Sequence, residues 1–195
     1  REYKKKDSLE QRRKDPRYLD SLDAKRNKVT LRGVLFTGQS FTVSKRKERI
    51  GFSSLLSTLN YNTVEGAVVN FSPSYRRRFE GRKFIFITPD IRYGITNGHL
   101  NPSFSATYGF GKKYFQNITI SGGSNVFQFN NAGSISPRIN TLSTLLYRAN
   151  HMKIYEAGFF RAGYNAGIGN GLAISARFEF QNRYPLENLL DPVSW

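Results

Sequence analysis

LNPSFSATYGF, residues 100–110, decides the fold. Leu100, Phe104, Ala106, Tyr108 and Phe110 share one parity, while Asn101, Ser103, Ser105, Thr107 and Gly109 share the other. Successive side chains of a strand point to opposite faces, so this stretch has one apolar face and one polar face. The pattern repeats upstream. Ile85, Ile87, Ile91, Tyr93 and Ile95 alternate with Thr88, Asp90, Arg92 and Gly94, although Phe84 and Phe86 interrupt the polar parity at one end. Before that, Ala67, Val69, Phe71, Tyr75 and Phe79 alternate with Asn70, Ser72, Ser74, Arg76 and Arg78, with Val68 the apolar exception.

Downstream, Ile118 and Ile120 stand against Asn117, Thr119 and Ser121, with a bulge expected at Gly122-Gly123. Two further strands are predicted at 151–166 and 172–183. The second sets Leu172, Ile174, Ala176, Phe178 and Phe180 against Ser175, Arg177, Glu179 and Gln181. The joins are short: Glu80-Gly81-Arg82, Asn97-Gly98, Gly111-Lys112-Lys113 and residues 167–171. Asn-Gly is the strongest short hairpin signal, and tight joins make neighbouring strands antiparallel. One connection is long. Within 130–150, Ser136-Pro137 reads as a helix start, followed by an apolar stripe of Leu142, Leu145 and Leu146, so a helix is expected over about 136–149.

The expected fold is all-β: an antiparallel up-and-down meander, strongest over 66–184, belonging to a partial outer-membrane β-barrel. The domain reading is a basic helical segment over 1–28 followed by barrel strands over 29–195. Arg1 to Lys28 holds 11 basic and 6 acidic residues, with Asp15 and Pro16 placed to start a helix. It reads as a solvated helical linker, or alternatively as an arm docking on an anionic surface. Residues 29–65 are ambiguous: Val29, Leu31, Val34 and Phe36 suggest one strand, Phe41 and Val43 another, with a turn or bulge at 38–40 and a short helix or loop at 53–59.

Alternation alone also fits a soluble sandwich. Three features favour the membrane. The runs reach about 11 to 16 residues, where soluble strands average roughly 5 or 6 and tilted membrane strands need about 9 to 11. The polar parity carries Asp90, Arg92, Arg161, Arg177 and Glu179 among Ser and Thr, as a wet, ion-paired lumen requires. Tyr75, Phe79, Phe84, Phe86, Tyr108, Phe110, Tyr114 and Phe115 lie near two turns of one rim, as in an interfacial aromatic girdle. Val69, Phe71, Ile87, Ile91, Phe104, Tyr108, Ile174 and Phe178 are therefore expected to face lipid. The rim of short turns is expected on the periplasmic side and the 130–150 insert at the cell surface.

Composition narrows the chemistry. The 195 residues contain 30 Lys and Arg against 14 Asp and Glu, a formal charge of +16, with no Cys and two His. No disulfide scaffold or Cys-based metal site is possible, and His99 and His151 read as solvated imidazoles. No cofactor site and no catalytic constellation is predicted. Asp90 and Glu179 read as structural ion-pair partners rather than an acid/base pair. No nucleic-acid partner is expected, the partners being outer-membrane lipid and the remaining strands of a larger chain. The alternative is a soluble β-rich module that grips single-stranded nucleic acid or another polyanion with basic and aromatic side chains. The N-terminus is charged and shows no apolar secretory core, and the start at Arg1 rather than Met reads as a processed chain or a piece cut from a larger protein.

Several phrases also resemble a known family: KKKDSLEQRRKDPRYLDSLDAKRNK (4–28), LFTGQSF (35–41), LNYNTVEG (59–66), GFGKKYF (109–115), GGSNVFQFNN (122–131), SPRINTLSTLLYRANHMKIYEA (136–157) and RYPLEN (183–188). The chain resembles Gram-negative outer-membrane proteins of unknown function that often carry a carboxypeptidase-regulatory-like domain ahead of the barrel. That resemblance implies a periplasmic N-terminal region and further strands after residue 195. It implies no catalytic residues.

Overall fold

A computed structural model describes residues 15–111, 113–130 and 135–187. Ten strands join in one antiparallel sheet. They are β1 (Gln39–Val43), β2 (Glu48–Phe52), β3 (Leu59–Asn62), β4 (Gly66–Phe71), β5 (Ser74–Arg78), β6 (Phe84–Gly94), β7 (Leu100–Phe110), β8 (Gln116–Gln128), β9 (Ile154–Gly169) and β10 (Leu172–Pro185). Helices are few: α1 (Pro16–Arg26), the single turn α2 (Leu55–Thr58) and α3 (Pro137–Tyr147). From β5 onward the order is an up-and-down meander, and among the described residues β10 does not close onto β1.

The first long run divides. β4 and β5 both pair with β6, and one register, with Phe71 opposite Ile91 and Tyr75 opposite Ile87, continues across the break at Ser72-Pro73. That register sets Pro73 opposite Pro89. Neither proline has an amide hydrogen, so the ladder loses its bonds there. Asp90 partners this break, accepting from the Ser72 hydroxyl within it and from Asn125 Nδ2 at 3.1 Å on β8.

In the ambiguous region the structure departs from expectation. Residues 33–37 wind into a π-helical turn instead of a strand, and the turn proper sits at Gly38 (φ 83°). β2 and β3 were not anticipated. ERIGF and LNYN are too short and too polar to show a period by themselves; each is held by its neighbours, β2 by β1 and β5, β3 by β4. α2 lies between them, capped by the Ser54 hydroxyl accepting from Ser57 N–H at 3.3 Å.

α1 starts as expected at Asp15, whose carboxylate accepts from Arg17 N–H at 2.9 Å. It is more than a solvated linker. Asn27 pairs with the outer edge of β1, its Nδ2 donating to Thr42 C=O at 2.9 Å and its Oδ1 accepting from Thr42 N–H at 2.7 Å. Asp23 accepts from Ser44 N–H at 2.7 Å. Side chains here occupy an edge that is otherwise open to another strand. Residues 1–14 of the basic segment lie outside the described residues.

The last hairpin is tighter than expected. β9 extends to Gly169, leaving only Asn170-Gly171 (φ 50° and 78°) as the turn. Two positive φ values are what a type I′ hairpin needs. At the expected bulge, the β7–β8 ladder ends at Ser103 opposite Gly123 (φ 129°), where a Cβ would lie 2.4 Å from Pro102 O.

The turns at 79–83 and 170–171 and the β7–β8 join define one end of the strands, the short-turn rim. The residue 95–99 turn and the long β8–β9 connection define the other, the capped rim. α3 crosses the capped rim and reaches β3, where Thr141 Oγ1 accepts from Tyr61 N–H at 2.9 Å. Its leucine stripe faces outward. Asn140 and Thr144 are buried, while Ile139, Leu142, Leu145 and Leu146 are exposed, Leu146 at 69 %. Hydrogen bonding explains this orientation. Asn140 Nδ2 donates to Asn150 Oδ1 at 2.9 Å and its Oδ1 accepts from His151 N–H at 2.9 Å, so the amide side faces the chain it ties down.

Candidate functional site

Residues directly opposite in an antiparallel pair share a face, so the registers assign every side chain. Phe71 opposite Ile91, Ile87 opposite Ala106, Tyr108 opposite Ile118, Phe178 opposite Ala162 and Ile174 opposite Ala166 make one continuous apolar surface. Val69 and Phe104 lie on it too. No described helix or second sheet covers it. Ile91 is 46 % exposed, Phe104 50 % and Phe178 61 %.

The opposite face carries the predicted polar set. Asp90 faces Ser103, Arg92 faces Asn101, Arg161 faces Glu179 and Arg177 faces Gly163. Thr107 and Thr119 bond at 3.0 Å, and Asn165 Nδ2 donates to Asn117 Oδ1 at 2.9 Å. This face is concave, with a cleft of about 860 Å³ over β8–β10 whose lining includes Ser121, Arg161, Asn165, Arg177 and Glu179. Arg161 is central. It reaches the Glu179 carboxylate at 2.9 Å and lies 4.8 Å over the rings of both Phe127 and Phe159. Its guanidinium therefore meets charge on one side and π-density on the other.

The five polar residues do not converge on one centre. Asp90 and Glu179 lie on β6 and β10, with three strands between them. Asp90 is the acceptor at the proline break, and Glu179 is the counter-charge of Arg161. Arg92 is occupied by a residue that sequence reasoning did not single out. Glu65, fully buried, accepts from Arg92 Nε at 2.9 Å and from its Nη2 at 2.5 Å, and from Asn62 Nδ2 at 2.9 Å. The only sequence signal was a carboxylate in the Asn-x-x-Glu-Gly turn over 62–66. The aromatic patch inside the polar face was likewise unforeseen. Phe127 stands opposite Tyr155, with the Phe127 and Phe159 rings 5.3 Å apart, edge to face. His99 is not simply solvated, since its Nδ1 lies 2.7 Å from Glu156.

The sheet thus has one apolar face and one polar, charged face. The model of a family of unknown function (DUF5686), C-terminal domain, matches residues 33–195. The chain belongs to that DUF5686 family. The match begins at the π-helical turn and covers all ten strands of the sheet. No curated protein and no solved structure matches the chain. The DUF5686 C-terminal domain is thus, in this chain, an antiparallel sheet preceded by α1, an up-and-down meander from β5 onward that does not close among the described residues.

Proposed function

We propose that this chain is part of the wall of an outer-membrane β-barrel, resident in the cell outer membrane. Val69, Phe71, Ile87, Ile91, Phe104, Tyr108, Ile174 and Phe178 face lipid, and Asp90, Arg92, Arg161, Arg177 and Glu179 face a wet lumen. Its role is non-enzymatic, in envelope assembly, transport or surface organisation. One observation carries this reading: long strands present an uncovered apolar face. β6 to β10 run 11, 11, 13, 16 and 14 residues, long enough to cross a bilayer when tilted. In water so large an apolar surface favours aggregation, whereas lipid is its natural solvent. The outer edge of β10 has no partner strand among the described residues, and a following strand of a larger chain fits there.

The experiment is membrane fractionation followed by alkaline washing and lipid reconstitution. Retention in the outer-membrane fraction through the wash, and folding only in detergent or lipid, is the expected result. A detergent-free soluble monomer that retains oligonucleotide in a salt-sensitive way would instead favour the soluble polyanion-binding module. Orientation is tested separately. Arg138 on the capped rim and Arg82 on the short-turn rim are both exposed. On intact cells an impermeant thiol reagent should label R138C and spare R82C. The reverse pattern inverts the barrel without undoing it.

A further inference from the structure

Five cations that are scattered in sequence, Arg26, Lys47, Arg49, Arg76 and Arg78, are gathered by folding near the short-turn rim. β2 pairs with β5 so that Arg49 lies directly opposite Arg76 on the concave face. Arg78 follows on the same strand face, two residues on. Lys47, in the left-handed turn of the β1–β2 hairpin (φ 54°), and Arg26, at the end of α1, complete the ring around a cleft of about 420 Å³.

The nearby carboxylates are committed elsewhere. Glu48, the one acid lining the cleft, lies 3.4 Å from Arg77. Asp23 accepts from Ser44, and Asp20 pairs with Lys45 at 2.8 Å. Like charges directly opposite in a ladder destabilise it. Arg49 Nη2 donates to the Ser40 hydroxyl at 3.0 Å, and opposed side chains start only about 4.5–5.5 Å apart, close enough for the other Arg49 N–H groups and the Arg76 fork to meet one tetrahedral anion. The next position on the same face lies about 7 Å further along the strand. The long, flexible Arg78 side chain can reach back across part of that gap to a second, linked anionic group. Arg76 also lies 5.5 Å over the Phe84 ring, which positions it.

We propose that this cleft binds a phosphate-bearing anion with two clustered negative groups, Arg49 and Arg76 clasping one and Arg78 with Lys47 the other. The anion relieves the Arg49–Arg76 repulsion, so binding and folding are linked. The site uses the concave face and stands whether or not the apolar face meets lipid. The phosphate comes either from a small soluble compound or from a phospholipid headgroup at the rim.

The test uses the full chain in neutral detergent, titrated with pyrophosphate by calorimetry. Binding should be about tenfold weaker, or lost, in R49Q/R76Q. It should be unchanged in R82Q/K113Q, which removes the same charge from the same rim outside the cleft. Without the anion, R49Q should unfold at a higher temperature than wild type, because the repulsion is gone, and pyrophosphate should no longer raise its Tm. Equal losses in both double variants, or no rise in the anion-free Tm of R49Q, would overturn the site. Vesicles separate the sources. If vesicles containing anionic phospholipid displace pyrophosphate and purely zwitterionic ones do not, the ligand is a headgroup; if neither does, it is soluble.

Discussion

The two ends of the strands solve opposite problems. At the capped rim, several polar groups are taken out of water and tied to named partners, although Asn97 Nδ2 and Asn101 Nδ2 are buried without one among the described residues. Glu65 holds Arg92, Asn140 holds Asn150 and His151, and Ser124 donates to Asn101 at 2.6 Å. A small apolar cluster of Val64, Met152 and Ile154 lies among them, and Val68, the exception to the sequence pattern, is fully buried nearby. At the short-turn rim, Arg76, Arg78, Arg82 and Lys83 remain in solvent beside Phe79, Phe84 and Phe86. Burial makes an unpartnered charge costly, and exposure makes it cheap. The capped rim is therefore where specificity of folding resides, and the short-turn rim is where charge stays available to a partner.

The largest expected effect tests that contrast directly. Glu65→Gln strands the mostly buried Arg92 guanidinium and should destabilise the fold by about 3–5 kcal/mol in urea unfolding. Arg82→Gln at the other rim should stay within about 0.5 kcal/mol. Equal effects would erase the distinction between the two ends.

Midway between the rims, the contrast is between faces. Ile91→Arg should cost roughly 2–4 kcal/mol in lipid-reconstituted protein if Ile91 lies near the bilayer midplane. Thr88→Arg, three residues away on the concave face, should be mild. Equal tolerance of both would place the apolar face outside lipid.

Smaller effects sharpen the picture at the edges. Asn27→Ala removes both bonds to Thr42 and should cost about 1–2 kcal/mol, with faster amide exchange confined to β1. At the capped rim's exposed margin, His99→Gln should change stability by less than about 1 kcal/mol, because the pair with Glu156 is half in water. A larger loss there would mean that the pair belongs with the buried network rather than with the solvated margin.

What the sequence determined by itself was local and periodic. Alternation across 84–94, 100–110, 116–121 and 172–181 assigned each side chain to a face, because a strand's period of two needs no knowledge of its neighbours. Asp15 before Pro16, and Ser136 before Pro137, marked helix starts for similarly local reasons. Only the tertiary structure decided the rest. β2 and β3 are too short to show a period, and exist because β5 and β4 offer them an edge. The leucines of α3 face outward because Asn140 and Thr144 are needed inward, a choice set by distant chain. Glu65 meets Arg92 across 27 positions, and Arg49 meets Arg76 across the same number. Both meetings depend on strand register, and register is a property of the pair of strands, not of either sequence alone.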